Sequence, residues 1–191
     1  MGEPFGAYYQ LETFQSLLDN GIAVIAPTAI EGLFWQTNLP PYDITPNLWY
    51  SSSDYKFIEQ IMKAAHGNDT FGPLDPSRAF AFGISSGGYQ SSRVAVDMSD
   101  TFKAVVIAAG AYMTCGGPLC YAPWSVPPNH PPTMFLHGFI DPIVPYWTML
   151  EYYHVLQREN ITTELHTCAT CTHQWIPSSA QLVYPFFKQF L

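Results

Sequence analysis

The sequence predicts an α/β fold in which a mostly parallel sheet is flanked by helices. Short apolar runs alternate with longer stretches whose apolar residues recur at helical spacing. One run, Ala79–Phe82, ends in a glycine- and serine-rich turn that leads into a helical stretch. Strands that alternate with helices form parallel sheets with right-handed crossovers. The chain shows no repeat or change of composition, so residues 1–191 are expected to form a single domain.

The first half of the chain alternates in this way. Tyr9–Asp19 has helical apolar spacing, and the β-branched run Ile22–Ala26 predicts a strand buried on both faces. Residues 27–53 form a long connection rich in proline and aromatic residues. Loops of this length are usually functional or disordered, and the aromatic content argues against disorder, so the connection is a candidate wall of a binding site, with capping of the core by its rings as the alternative. A helix capped by Ser53 or Asp54 follows, and the strand Ala79–Phe82, which we call the elbow strand, comes next.

The second half continues the alternation. After the glycine-rich turn and its helix, we predict strands at Ala104–Ala109, Thr133–His137 and Thr163–Thr167, and helices at Trp147–Arg158 and Ser179–Leu191.

Composition narrows the classes of partner. The 191 residues carry 15 Asp and Glu against 7 Lys and Arg, a formal net charge of −8. Nucleic-acid binding needs clustered basic residues that displace counterions, so no nucleic-acid partner is expected. No apolar run approaches the roughly 18 residues of a membrane helix, so no membrane partner is expected either.

The turn after Ala79–Phe82 carries the most informative motif. Gly83-Ile84-Ser85-Ser86-Gly87 matches G-x-S-x-G, in which a serine lies at the tip of a strained turn and the glycines let strand and helix approach. The Ser86 N–H would then lie at the helix N-terminus, facing a developing oxyanion. A structural glycine turn would also match, but the strand–turn–helix context favours Ser85 as a nucleophile and Ser86 as an oxyanion donor.

An acid and a base follow later predicted strands. Functional residues of open parallel sheets lie outside the carboxyl ends of the strands. Asp141 follows Thr133–His137, and His173 follows the last predicted strand. An imidazole activates a serine hydroxyl by removing its proton, and a carboxylate orients that imidazole. We therefore predict Ser85, Asp141 and His173 as a triad, with neither a metal nor a cofactor.

Other side chains compete for the roles of base and acid, and position at a strand exit favours His173 and Asp141 over them. The competing residues are His66, His130, His137, His154 and His166 for the base, and Asp97, Asp100 and Glu164 for the acid.

The cysteines form two local pairs, Cys115 with Cys120 and Cys168 with Cys171. Two short-loop disulfides are predicted, which indicates an oxidising compartment. A four-thiolate zinc site is the alternative, although one pair has a spacing unusual for zinc, and a redox centre is a third reading. A disulfide between Cys168 and Cys171 would stiffen the loop that carries His173.

The tryptophans are candidates for substrate binding. Four of them could form an apolar cleft suited to a chain-like substrate, and a role in the core is the alternative for each. They are Trp35, Trp124, Trp147 and Trp175.

Four motifs stand out: GISSGGY at 83–89, FWQTN at 34–38, HPPTMFLHG at 130–138 and THQW at 172–175. Together they resemble the extracellular α/β-hydrolase polyester depolymerases, most closely those acting on medium-chain-length polyhydroxyalkanoates. The resemblance implies a secreted serine esterase acting on aliphatic, or also aromatic, polyester, whose triad matches Ser85, Asp141 and His173. A small-ester carboxylesterase and a non-catalytic hydrolase-like module remain open.

The chain departs from that family at its start. In the sheet of these hydrolases, a strand that precedes the first helix in the chain lies between the strands that correspond to Ile22–Ala26 and Ala79–Phe82. The exit of that strand supplies a second oxyanion donor. Residues 1–7 are too short and too rich in glycine and proline to form it. We therefore expect an N-terminally truncated sheet, with Gly2 or Glu3 in the donor position, and a gap closed by the remaining strands or by a strand of a second copy in a homo-oligomer.

Overall fold

A four-stranded parallel sheet forms the centre of the molecule. The structure is a computed structural model that describes residues 6–29, 32, 34–67, 70–115 and 122–191. Successive strands are neighbours, in the order β1-β2-β3-β4. Their bounds are Phe80–Ile84 for β1, Ala104–Ala108 for β2, Thr133–Gly138 for β3 and Thr163–Cys168 for β4.

The predicted helices are present, with ends shifted by a few residues. The long connection before the second helix contains two short 3-10 turns, Gln36–Asn38 and Pro46–Ser51. None of the described helices is both long enough and apolar enough to cross a lipid bilayer. The helices are α1 (Ala7–Asp19), α2 (Ser53–Gly67), α3 (Ser86–Asp97), α4 (Tyr146–Arg158) and α5 (Ser179–Lys188).

The predicted strand at Ile22–Ala26 is wrong. Residues 22–26 have no regular secondary structure, although Ile22 and Val24 pack against the core. A β-branched run becomes a strand only when a neighbour supplies ladder hydrogen bonds. In the part of the chain that the structure describes, β1 pairs with β2 alone. The outer edge of β1 is therefore open there, and completion of the sheet by a second copy stays a prediction.

The sheet lies between two layers of helices. Val106 and Met134 face one side, where α1 and α5 supply residues such as Leu17 and Phe186. The neighbouring side chains, including Ile107, face α3 and α4 on the other side. Every residue of β2 is buried, as expected for a parallel strand covered on both faces.

The strand register brings the carboxyl ends together. Ile84 lies opposite Ala108, which lies opposite Leu136, and Leu136 lies opposite His166. The residues that follow β1, β3 and β4 therefore emerge at one edge of the sheet, where sites form in folds of this class.

A buried histidine lies in the layer next to α4. His130 Nε2 is 2.6 Å from the Tyr152 hydroxyl, and Nδ1 is 2.8 Å from the Pro131 carbonyl oxygen. Burial lowers the pKa of His130 to about 4, against the opposing effect of the Pro131 carbonyl. The folded chain therefore keeps this imidazole neutral in mildly acidic solution.

We expect His130 to make the protein less stable as the pH falls. Below an ordinary pKa of 6.5 the unfolded chain takes up a proton that the folded chain refuses until about pH 4. Within this window the free energy of unfolding should fall by about 1.4 kcal/mol per pH unit because of this residue. Urea unfolding at several pH values measures the slope. His130→Gln should reduce the slope, and an identical slope in both proteins would contradict the assignment.

Candidate active site

Ser85 occupies a strained turn between β1 and α3. Its backbone has φ 55° and ψ −121°, a region that residues other than glycine rarely adopt. The Ser85 N–H donates to the Ala108 carbonyl at 2.9 Å, and the Ser85 carbonyl accepts from the Tyr89 N–H at 2.9 Å. Hydrogen bonds on both sides thus hold the serine in its unfavourable conformation.

The turn needs glycine at two positions. A Cβ atom on Gly83 would lie 2.9 Å from Gly87 Cα and closer still to the Gly87 carbonyl group, whereas one on Gly88 would lie 2.8 Å from the Ala108 carbonyl oxygen. A Cβ atom on Gly87 would meet nothing within 4 Å. On the helix side, therefore, the space requirement falls on Gly88 and not on the predicted Gly87.

Ser85, His173 and Asp141 form one continuous hydrogen-bonded chain. His173 Nε2 lies 2.8 Å from Ser85 Oγ, and His173 Nδ1 lies 2.8 Å from Asp141 Oδ2. The three side chains come from the exits of β1, β4 and β3, at the edge where the strand ends converge. The structure thus brings together the three residues that the sequence analysis selected.

Asp141 is held as a carboxylate. Its Oδ1 atom accepts hydrogen bonds from the Ile143 N–H at 2.8 Å and the Val144 N–H at 2.9 Å. Burial would raise the pKa of Asp141, but the hydrogen bonds from His173 and from these two amides outweigh it and lower the pKa below its ordinary value. The ionised form can therefore orient His173 and stabilise its protonated state.

A second imidazole lies against the acid. His137, buried near the end of β3, has Nε2 2.9 Å from the Val144 carbonyl oxygen and 3.5 Å from Asp141 Oδ2. Burial lowers the pKa of His137, although the Val144 carbonyl and the Asp141 charge oppose this shift. From the sequence, His137 was named only as a competing base, and its contact with Asp141 was missed. Its position four residues before the acid was the available signal.

His173 lies on the base loop, residues 169–178 between β4 and α5, which is hydrogen-bonded to the acid loop, residues 139–145 between β3 and α4. Cys168 and Cys171 form a disulfide with a Cα–Cα distance of 5.3 Å, which excludes them as zinc ligands in this state. The Phe139 N–H donates to the Cys168 carbonyl at 2.9 Å, and the Ile140 N–H donates to the Cys171 carbonyl at 3.3 Å.

The other predicted disulfide, between Cys115 and Cys120, is described only in part. Cys115 is disulfide-bonded, and Cys120 lies outside the described residues.

Gly138 lies where β3 meets the base loop. A Cβ atom there would come within 2.8 Å of the Cys171 carbonyl carbon and closer still to the carbonyl oxygens of Cys171 and Thr172. These are backbone atoms and cannot rotate away. The absence of a side chain at Gly138 therefore allows the loop carrying His173 to pack on the sheet.

We expect Gly138→Ala to slow the reaction of Ser85 with a fluorophosphonate about 100-fold, because displacing a base by about 1 Å has effects of this size. The labelling rate of folded protein measures the loss. Gly67→Ala is the matched control, since a Cβ atom at Gly67 meets nothing within 4 Å and the rate should not change. Equal rates in the two variants would contradict the proposed displacement.

Ser86 occupies the predicted donor position. It is the first residue of α3, so its N–H belongs to the amides that have no partner within the helix. Its hydroxyl contacts the loop before α2, accepting from the Trp35 N–H at 2.9 Å and donating to Asn38 Oδ1 at 2.7 Å. The contact between Ser86 and Asn38 was not predicted from the sequence. Gly2 and Glu3 lie outside the described residues, so their predicted donor role stays a prediction.

The predicted tryptophan cleft is wrong for two of its four members. Trp175 is 1% exposed and belongs to the core, where its ring centroid lies 6.2 Å from that of Phe82 in β1. Trp124 is 79% exposed, but it stacks on Arg158 at the far end of α4 from Asp141.

The other two tryptophans lie near the triad. Trp35 lies beside Ser86, and Trp147 lies in the first turn of α4, near the acid loop. Their contact with substrate stays a prediction.

Comparison with known proteins identifies relatives of the chain. No protein-family model matches it. The chain is 46% identical over 185 residues to a poly(3-hydroxyoctanoate) depolymerase of Pseudomonas fluorescens, which covers 97% of the chain. The matched region spans only 65% of that relative's length. This similarity confirms the predicted resemblance to polyester depolymerases.

Solved structures agree on the architecture. A sugar hydrolase of Lactococcus lactis has a TM-score of 0.66 at 16% identity, over 99% of this chain and 85% of its own. An α/β hydrolase from a Medee basin deep-sea metagenome library, MGS-M1, has a TM-score of 0.63 at 16% identity, over 93% of this chain and 75% of its own. At such identities these structures show the fold alone. The chain therefore has the α/β-hydrolase fold and is a homologue, along nearly its whole length, of a poly(3-hydroxyoctanoate) depolymerase.

Proposed function

We propose that this chain is a serine carboxylic-ester hydrolase that cleaves polyester through an acyl-enzyme, and that residues 1–191 act as one catalytic domain. The observation that carries the proposal is the hydrogen-bonded chain of Ser85, His173 and Asp141, with 2.8 Å at each link. The name of the Pseudomonas fluorescens homologue supports an ester as the substrate. No metal or cofactor is part of the proposed reaction.

Acylation begins at Ser85. His173 Nε2 removes the hydroxyl proton while Oγ attacks the ester carbonyl carbon, and Asp141 stabilises the imidazolium that forms. The Ser86 N–H donates a hydrogen bond to the developing oxyanion. When the tetrahedral intermediate collapses, the bond between carbonyl carbon and ester oxygen breaks, and His173 returns the proton to the leaving alcohol.

Deacylation repeats these steps with water. His173 removes a proton from the water as its oxygen attacks the acyl carbon, and the Ser86 N–H again binds the oxyanion. Collapse of the second intermediate releases the carboxylic acid and returns the proton to Ser85 Oγ. The same three side chains thus serve both half-reactions.

Fluorophosphonate labelling together with hydrolysis of p-nitrophenyl octanoate tests the proposed mechanism. The parent chain should be labelled and turn over the ester, Ser85→Ala should do neither, and His173→Ala should be labelled very slowly. A folded parent chain that is neither labelled nor active would instead support the non-catalytic module. Labelling of Ser85→Ala at another residue would exclude Ser85 as the nucleophile.

An uncharged apolar rim beside the triad supports a polymeric substrate over a small ester. The acid loop and the first residues of α4, residues 139–147 together, contain a single charged residue, the buried Asp141. Their exposed side chains are apolar: Phe139, Ile140, Ile143 and Trp147 are 58%, 54%, 62% and 50% exposed. On a chain with a net charge of −8, such a patch suits contact with an apolar solid.

We expect Ile140→Ser combined with Ile143→Ser to impair film hydrolysis selectively. Product release from poly(3-hydroxyoctanoate) film should fall at least about tenfold more than turnover of p-nitrophenyl butyrate, because two apolar side chains lose their contact with the polymer. Leu11→Ser on α1, which is also exposed, is the matched control. Equal losses on both substrates would favour the small-ester carboxylesterase. An aromatic polyester film in parallel tests the aromatic preference.

We also propose that the protein is secreted. The Cys168–Cys171 disulfide supports an oxidising compartment, where such bonds persist. Because the bridge closes the loop before His173, verified reduction should lower turnover. Unchanged kinetics in the reduced protein would remove the disulfide from the mechanism.

A further inference from the structure

The Ser86 side chain joins the nucleophile turn to a distant loop. We define the aromatic loop as residues 34–51, which precede α2. Ser86 Oγ accepts from the Trp35 N–H at 2.9 Å and donates to Asn38 Oδ1 at 2.7 Å. The proposed mechanism uses the Ser86 N–H but does not use this hydroxyl. Its two bonds thus connect the proposed oxyanion donor to residues about fifty positions earlier in the chain.

The aromatic loop is itself fixed by buried contacts. Arg93 of α3 is fully buried; its Nε donates to Thr37 Oγ1 at 3.0 Å, and its Nη2 donates to the Tyr42 carbonyl at 2.8 Å. Asp97 of α3 pairs with Nη1 of the same guanidinium at 3.2 Å, so departure of the loop from α3 would take away the partners of Nε and Nη2 while the charge stayed paired on one side. On the other side, the Gln36 N–H donates to Asp54 Oδ2 of α2 at 2.5 Å.

We infer that the Ser86 hydroxyl and the Asn38 side chain form a clamp that positions the Ser86 N–H toward the oxyanion. Arg93 and Asp54 hold the loop, and the clamp transmits that fixed position to the first residue of α3. Ser86 Oγ and Asn38 are positioning groups and do not touch the reacting atoms. The inference rests on the proposed esterase function.

The clamp should affect kcat and leave KM nearly unchanged. The oxyanion carries its full charge only in the transition state, so a displaced donor weakens transition-state binding without weakening ground-state binding. A merely structural contact would instead lower the unfolding temperature and leave kcat of the folded enzyme intact. Comparing the change in kcat with the change in unfolding temperature therefore distinguishes a positioning role from a structural one.

A double-mutant cycle with p-nitrophenyl octanoate tests the clamp. Ser86→Ala keeps the backbone N–H and removes the hydroxyl, and Asn38→Ala removes the acceptor. We expect each to lower kcat about tenfold with KM within about twofold, and the double variant to lose no more than the worse single one, because the two groups act as one unit. Ser86→Thr, which keeps the hydroxyl, should restore kcat to within about threefold of the parent.

Provided that the parent chain is active, three results would overturn the clamp. Either folded alanine variant could keep the kcat of the parent, or the two single losses could multiply to about a hundredfold in the double variant. The third is an equal loss of kcat in Ser86→Thr and Ser86→Ala. Any of them would leave the esterase proposal standing. Absence of labelling and turnover in the parent chain would overturn both proposals together.

Discussion

Replacing Asp141 with asparagine is expected to lower kcat for p-nitrophenyl octanoate on the order of 10⁴-fold while leaving the fold intact. Oδ1 of Asp141 accepts from the Ile143 and Val144 amides, so the amide oxygen of the asparagine should take that place. Its NH₂ group then faces His173 Nδ1 and can only donate. The imidazole proton moves to Nε2, where it faces Ser85 and prevents His173 from acting as a base.

The control for this variant is Asp100→Asn. Asp100 was an alternative acid in the sequence, and it accepts a hydrogen bond from Asn129 Nδ2 at 2.6 Å on the surface, away from His173. Its kcat should stay within about twofold of the parent value. A loss smaller than about tenfold in Asp141→Asn would remove Asp141 from the role of orienting acid.

Gly83→Ala is expected to destabilise the protein by about 3 kcal/mol or more, or to prevent folding. The added Cβ atom would meet the Gly87 backbone, which cannot move without separating β1 from α3. Urea unfolding followed by circular dichroism measures the free energy of unfolding.

Gly87→Ala provides the matched comparison for Gly83→Ala. It changes the other glycine of the motif in the same way, but it adds a methyl group into open space on a helix. It should be neutral or stabilising by up to about 1 kcal/mol, because alanine favours the helical conformation. Comparable destabilisation by the two changes would contradict the geometry of the turn.

Local patterns predicted the elements that their own residues determine. Ala104–Ala109 and Thr133–His137 are short apolar runs bounded by turns, and both form buried strands. Ile22–Ala26 has the same pattern but does not form a strand, because a strand also needs a neighbouring strand that pairs with it, and in the described residues β1 pairs with β2 alone. A local pattern carries no information about whether that neighbour exists.

The triad was predictable for a topological reason. Parallel strands deliver the residues after their carboxyl ends to one edge, so once the G-x-S-x-G motif had indicated Ser85, position at a strand exit was enough to select Asp141 and His173. The tryptophans were less predictable, because the exposure of Trp124 and Trp175 depends on which neighbouring elements cover them. The Asn38 contact with Ser86 has no local signal at all, since the two residues meet only after α3 packs on the aromatic loop.

The hydrogen bonds between the acid loop and the base loop determine which contact of the triad is lost first when the sheet is distorted. β3 and β4 are adjacent strands, and backbone bonds from Phe139 and Ile140 join their loops. Ser85 follows β1, which β2 separates from β3. A small distortion of the sheet should therefore keep the hydrogen bond between Asp141 and His173 and break the one between His173 and Ser85 first. The base would then stay oriented while it is separated from the serine.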